Sequence, residues 1–270
     1  MANIIVLFLI FLLGASIGSF LSVVLYRVNN GKKGIVFGQS VCPKCGKRLV
    51  ITDMVPIASY VMLRGKCRHC KTNISPYYFF LELVTGLVLL ATYLKFPFLI
   101  RLLDGTPIPD LQMLLQFFFF AIYGCFFVAI FFYDLQTKKI PDIFLFPLIG
   151  TALAGTLLMG DPEILSALIA VVLALAVFGG QILVSKGKWL GEGDLYLAIA
   201  MAVIFGWQTF VLFVVLSYLS GALLTLPLLL SKKASLKSAV PFGPFMVFAG
   251  FLCVFFADEI IAWYLNGIFF

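Results

Sequence analysis

The sequence predicts an all-α polytopic membrane protein with about eight transmembrane helices and a small cytosolic tetracysteine zinc-knuckle domain after helix 1. Composition is the first sign: of 270 residues, 63% are hydrophobic and only 11% charged, with a mean hydropathy of +1.12. That balance excludes an ordinary water-soluble domain. The second sign is the recurrence of apolar runs near the roughly 20 residues needed to cross a hydrocarbon core. The third is a single long polar segment holding four cysteines as two C-x-x-C pairs.

The apolar runs lie at roughly 3–27, 77–98, 113–133, 141–159, 163–185, 194–206, 208–230 and 241–266. In lipid only helices or closed barrels satisfy their own backbone. These runs are continuously apolar, not alternating, which disfavours a barrel. The first run lacks a basic leader and a small-residue cleavage site, so it reads as a retained span. Domain organisation follows: 1–27 is the first transmembrane helix, 28–76 the cytosolic tetracysteine domain, and 77–270 a membrane-embedded core.

Charge sets the expected orientation. With the N-terminus outside, the segments 27–76, 134–140, 186–193 and 231–240 face inward and hold 17 of the 19 Lys and Arg residues. The outward loops keep only Lys95 and Arg101, a strong positive-inside asymmetry. The net charge of +7 is thereby a topology signal, suited to loops beside anionic lipid. Membrane lipid is the expected partner, no nucleic acid is indicated, and the oligomeric state is left open.

Segment 28–76 contains Cys42-Pro43-Lys44-Cys45 and Cys67-Arg68-His69-Cys70. Each pair can present two thiolates from one turn, and two such turns complete a tetrahedral zinc site. A polar segment this small has little core, so a bound metal would supply folding energy. Redox or metal-free thiols are the other reading. Cys42, Cys45, Cys67 and Cys70 are the expected structural zinc ligands, with His69 a bystander. Cys125 and Cys253 read as small apolar residues within spans.

Two carboxylates stand out at the ends of apolar runs. Asp134 closes a Phe-rich run before Leu135-Gln136-Thr137-Lys138-Lys139-Ile140-Pro141, and Asp194 ends Gly191-Glu192-Gly193-Asp194. Charge at a membrane edge is expensive, so a functional role is the default hypothesis. In the inferred topology both face the cytosol. Brought close together, the two would share a proton, one acting as base on water and the other as acid. Taken alone, an aspartate at a helix start is more often a cap. Asp142 suits a capping or helix-dipole role, and Glu192 a solvated loop charge. Glu82, inside the second span, needs a partner: either a basic residue of the knuckle or a substrate. Gly14, Ser16, Gly18 and Ser19 read as close-packing small residues.

The chain resembles the type IV prepilin peptidases over nearly its full length. The resemblance is carried, in order, by Gly18-Ser19-Phe20-Leu21, Val23-Val24-Leu25-Tyr26-Arg27, Cys42-Pro43-x-Cys45, Asp53-x-x-Pro56, Leu63-Arg64-Gly65-Lys66-Cys67-x-x-Cys70, Ile74-Ser75 and Glu82-Leu83. It continues through Asp134, Ile140-Pro141-Asp142, Gly191-x-Gly193-Asp194 and Pro241-Phe242-Gly243-Pro244-Phe245. It implies a bacterial plasma-membrane enzyme that cleaves the basic leader of prepilins and pseudopilins after a glycine, on the cytosolic side. It also implies N-methylation of the new N-terminus from S-adenosylmethionine. Asp134 and Asp194 match the family's catalytic aspartates, and the four cysteines match its methylating members. Three departures stand out: Ser22 where many relatives have Asn, Tyr196 where Lys often follows, and Val28-Asn29-Asn30 where a proline is usual. The aspartates also resemble those of presenilin-type proteases, which lack the knuckle. Peptidase activity without methyl transfer, an ion- or proton-coupled transporter, and a scaffold docking a partner through its zinc knuckle are the alternatives.

Overall fold

The structure, a computed structural model, describes residues 2–31, 40–101, 107–230 and 240–268. The basic residues Lys32, Lys33, Lys232, Lys233 and Lys237, counted above as inward-facing, lie outside the described residues. The chain forms two compact units, Met1–Ala129 and Ile130–Phe270. Seven helices among the described residues are long and apolar enough to cross a membrane. One of them, broken at Gly206, comprises two helices, so the described residues hold eight apolar helices.

In the first unit, α1 (Ala2–Asn29) packs along α3 (Pro76–Lys95), and small residues set their approach. A Cβ on Gly14 would lie 2.8 Å from the Thr85 carbonyl oxygen, and one on Gly18 2.8 Å from the Glu82 Cα. Backbones this close exclude any side chain, as in other membrane helix pairs. Ser75 and Pro76 start α3: the Ser75 side chain accepts the Tyr77 N–H, and Pro76 fills the first helical position. Ile10, Leu89, Tyr93 and Phe117 form the apolar cluster that joins α1 and α3 to the start of α4 (Leu111–Thr137).

Between α3 and α4 the chain makes a two-stranded antiparallel ribbon, β1 (Leu99–Arg101) with β2 (Pro107–Pro109), in the register Ile100↔Ile108. No apolar alternation announced it, and the prolines of β2 are tolerated because each strand has a partner on one side only. Asp110 then caps α4, its Oδ1 accepting the Met113 N–H at 2.9 Å. The knuckle segment between α1 and α3 adds a 3-10 turn (Ile51–Asp53) and the short α2 (Ala58–Met62).

The second unit begins inside α4 and continues with α5 (Asp142–Met159), α6 (Ile164–Ala174), a π-helical turn (Leu175–Gly179), α7 (Gly180–Ser185), α8 (Glu192–Leu230) and α9 (Gly243–Ile268). Helix α5 begins directly after Pro141, with Asp142 in its first turn, the favourable end of the helix dipole for a carboxylate. Helix α8 packs against α5, α6 and α9. Its first part is correspondingly buried at Leu197, Ala198, Ala200, Met201 and Ala202.

Helix α8 is broken at Gly206, whose φ of 68° and ψ of 177° are not helical. Residues 192–205 and 207–230 are therefore separate helices, in keeping with the two separate apolar runs 194–206 and 208–230. The break is stitched from both sides. Ser166 Oγ accepts the Trp207 N–H at 3.1 Å, and Thr156 Oγ1 donates to the Val203 carbonyl at 3.0 Å. A Cβ at position 206 would sit 2.5 Å from Ser166 Oγ and 2.8 Å from Pro162 Cβ.

Gly206→Ala should cost about 1–3 kcal/mol through its forbidden backbone angles alone, and more through the clash. We expect a clearly lower thermal midpoint in detergent. Gly150→Ala, where a new Cβ meets nothing within 4 Å, should hold or raise it.

Candidate functional site

The two aspartates both belong to the second unit. Asp134 lies in the last turn of α4 and is 3% exposed. Asp194 is the third residue of α8, reached through the turn that ends α7. Each carboxylate is met by the backbone N–H of a glycine. Asp194 Oδ2 accepts from Gly191 at 3.1 Å, and Asp134 accepts from Gly243, the first residue of α9. These donors sit at helix starts, where unpaired N–H groups and the helix dipole favour an anion.

Glycine is required at position 243 by proximity. A Cβ there would lie 2.6 Å from Asp134 Oδ2 and 3.1 Å from Ile140 Cδ1. The same Ile140 faces Gly193, whose Cβ would meet Ile140 Cβ at 3.1 Å. One isoleucine of the α4–α5 connection thus touches the starts of both α8 and α9. It sets the helix start that carries Asp194 beside the one that meets Asp134. The Asp194–Gly191 bond is also half of a capping box, so the cap reading and a catalytic one coincide: the cap uses one oxygen of the carboxylate. Glu192, beside it, is exposed.

In the first unit the four knuckle cysteines converge. Their sulfur atoms all lie within 4.8 Å of one another, with Cys42 Sγ 3.9 Å from Cys70 Sγ. Four sulfurs around a tetrahedral metal at about 2.3 Å would be about 3.8 Å apart, so the set fits a metal ion. The two turns are built alike. The Cys42 N–H donates to the Lys47 carbonyl and the Gly46 N–H to the Cys42 carbonyl, both at 2.9 Å. The Cys67 N–H donates to Thr72 and the Lys71 N–H to Cys67, at 2.9 and 3.0 Å. The matching positions Gly46 and Lys71 both have positive φ, 68° and 57°. His69 lies outside the four-thiol group.

Thiol chemistry supports the same conclusion. Hydrogen bonds from Thr72 hold Cys70 down to about 6, and the Cys45 N–H, with lesser hydrogen bonds, favours the Cys42 thiolate against the cost of burial. Cys45 is pushed up to about 11: the Lys47 N–H favours its thiolate, but desolvation and the crowding of Cys42 and Cys70 outweigh it. To be thiolates together, the four would need a cation among them. The second turn is tied to the preceding loop by Arg68, whose Nε donates to Asp53 Oδ1 at 2.7 Å.

Among the described residues, the partners found for Glu82 are a backbone N–H and a hydroxyl. Its Oε2 accepts the backbone N–H of Ile57 at 2.7 Å, and its carboxylate also accepts from Ser19 of α1. Ile57 is held at φ 62° and ψ −54°, and the Ala58 N–H reaches back to the Pro56 carbonyl at 2.5 Å. This is a strained γ-turn, and it aims the Ile57 N–H at the carboxylate. The pairing is with backbone and a hydroxyl, so counting nearby Lys and Arg could not reveal it. Among the small residues of α1, Gly14 and Gly18 make the close approach, whereas Ser16 Oγ bonds back to the Leu12 carbonyl. Cys125 and Cys253 pack within helices α4 and α9.

A multi-pass helical membrane protein, with two aspartates at glycine-held helix ends and a separate four-thiol turn pair, is the class that fold and site define. A family model described as the bacterial peptidase A24 N-terminal domain matches residues 12–96, and one described as the type IV leader peptidase family matches 121–226. The chain belongs to the type IV leader peptidase family. Among curated relatives, the prepilin leader peptidase/N-methyltransferase of Aeromonas hydrophila is 27% identical over 287 residues, covering 96% of this chain and 93% of the relative. The protein of the same name from Pseudomonas aeruginosa is 29% identical over 281 residues, covering 94% and 92%. That from Dickeya chrysanthemi is 27% identical over 265 residues, covering 88% of each. No solved structure matches the chain.

Protein purified under reducing conditions without chelator should carry one metal ion per chain. Metal analysis should show Cys42→Ser or Cys67→Ser losing it, together with a lower melting temperature. A metal-free wild type would remove the site.

Proposed function

We propose that the protein is a prepilin leader peptidase that cleaves the basic leader of type IV prepilins or pseudopilins with Asp134 and Asp194 as its catalytic pair. The observation that carries this reading is that each carboxylate accepts a glycine N–H at a helix start, Asp194 at that of α8 and Asp134 at that of α9, with Ile140 lying against both starts. One carboxylate takes a proton from water as the water oxygen attacks the scissile carbonyl carbon. The other donates its proton to the carbonyl oxygen. Collapse of the tetrahedral intermediate breaks the C–N bond, and the leaving amine regains a proton. The glycine N–H bonds keep the carboxylates oriented without adding a second charge.

The relatives' shared name extends the proposal to N-methylation of the newly exposed N-terminus, with S-adenosylmethionine as donor. No residue of the chain is assigned to that donor. The metal is structural zinc, held by Cys42, Cys45, Cys67 and Cys70, and takes no part in peptide cleavage. The charge asymmetry supports a location in the bacterial inner membrane with the knuckle and both aspartates on the cytosolic side. The domain reading remains 1–27 as first helix, 28–76 as zinc domain and 77–270 as peptidase core.

Purified protein mixed with a prepilin should yield a product shortened by its leader, and heavier by one methyl group only when S-adenosylmethionine is present, as read by mass spectrometry. Asp134→Asn and Asp194→Asn should each abolish cleavage, a loss on the order of 10³-fold or more, without loss of expression. Cleavage surviving in either variant would refute the pair. Cleavage without any methylation would leave a peptidase alone. Serine, cysteine and metalloprotease inhibitors should spare the cleavage step.

A further inference from the structure

Gln181 sits in α7, within an apolar span where an amide is costly unless it is partnered. Its Nε2 donates to the Tyr218 hydroxyl oxygen at 2.6 Å. The π-helical turn Leu175–Gly179 lies just before α7. Such a turn adds a residue to the local repeat and so resets the direction of the side chains after it; π turns gather at functional sites.

Tyr218 lies twelve residues after the Gly206 break, and Asp194 twelve residues before it. Each is therefore about 18 Å along its own helix from the same break, whereas one continuous helix would separate them by about 36 Å. The Tyr218 bond to Gln181, in the short helix that leads into the turn before Asp194, puts the second helix back at the level of the first. The Tyr218 ring also packs on Phe242 with centroids 5.2 Å apart. The residue after Phe242 is Gly243, which presses on Asp134. Two routes thus bring this phenol to the aspartates, one through each.

We propose that Tyr218 is a third catalytic residue, a hydroxyl donor that Gln181 orients toward the scissile carbonyl oxygen. The proposal rests on the peptidase reading above. The Gln181 N–H occupies a lone pair of the phenol oxygen, so the phenolic hydrogen is directed elsewhere. It donates a hydrogen bond as negative charge builds on the carbonyl oxygen and keeps its proton throughout, while the aspartates carry out the proton transfers. Gln181 is a positioning residue, acting only through Tyr218. The plainer role, two polar groups satisfying each other in an apolar setting, makes a different kinetic forecast.

The test uses the full-length protein in detergent and a purified prepilin. Tyr218→Phe keeps the ring and its packing, so the thermal midpoint and metal content should match wild type. Its kcat should fall by about 10²-fold or more, as on loss of an oxyanion donor, with KM changed less than about twofold. Gln181→Leu should lower kcat by less, and the double variant should be no slower than Tyr218→Phe alone. A Tyr218→Phe enzyme with wild-type kcat, or additive losses in the double variant, overturns the proposal. Loss of folding in both single variants assigns the pair to packing and overturns it as well. A wild-type protein that fails to cleave refutes the peptidase reading itself, a result distinguishable from all of these.

Discussion

A carboxylate at the edge of a hydrocarbon layer has to be solvated by something, and in this protein the solvent is backbone. Gly191 and Gly243 bring N–H groups to Asp194 and Asp134, each from a helix start whose dipole favours negative charge. Only residues without a Cβ allow the approach at position 243, where a methyl would crowd the carboxylate oxygen at 2.6 Å. The arrangement of the second unit follows from that demand. Helix α4 must end, and α8 and α9 must begin, around one isoleucine, Ile140. Helix α8 must also break at Gly206 so that its second half returns toward the aspartates.

The first unit meets the same cost differently. Glu82 is buried between α1 and α3, where glycines hold the two backbones in contact, and it is satisfied by a serine hydroxyl and a strained backbone N–H. Strain at Ile57 and the carboxylate that receives its N–H support each other: without Glu82 the γ-turn would have no reason to persist. The loop bearing this turn also carries Asp53, the partner of Arg68 in the second knuckle. One run of residues thereby connects the helix pair to the four thiols.

Much of this was legible from residue order. The apolar runs located the spans, including the separate pair 194–206 and 208–230 on either side of the break at Gly206. Cysteine spacing announced four converging thiols, since each C-x-x-C is a local turn and needs little tertiary context. Asp134 and Asp194 were visible because charge is rare beside apolar runs. What stayed hidden depends on backbone groups or on long-range pairing. The Ile57 N–H that satisfies Glu82 has no residue-type signature. Ile140 and Gly243 stood within recognisable motifs, but their meeting requires three helix ends to be placed. The ribbon at Leu99–Arg101 is too short for an alternating pattern. Gln181 did carry a signal, a lone amide within an apolar run, although its partner Tyr218 is 37 positions away.

The likeness of the two cysteine turns has a consequence for biosynthesis. Each turn is complete within its own few residues, so the first can present its sulfurs before the second has been made. Cys67 follows Cys42 by 25 residues, a gap that a ribosome adding about 5–20 residues per second fills in about 1–5 seconds. During that interval only half of the four-thiol set exists. A four-sulfur site would be complete only once Cys67 and Cys70 are made, six residues before α3 begins at Pro76.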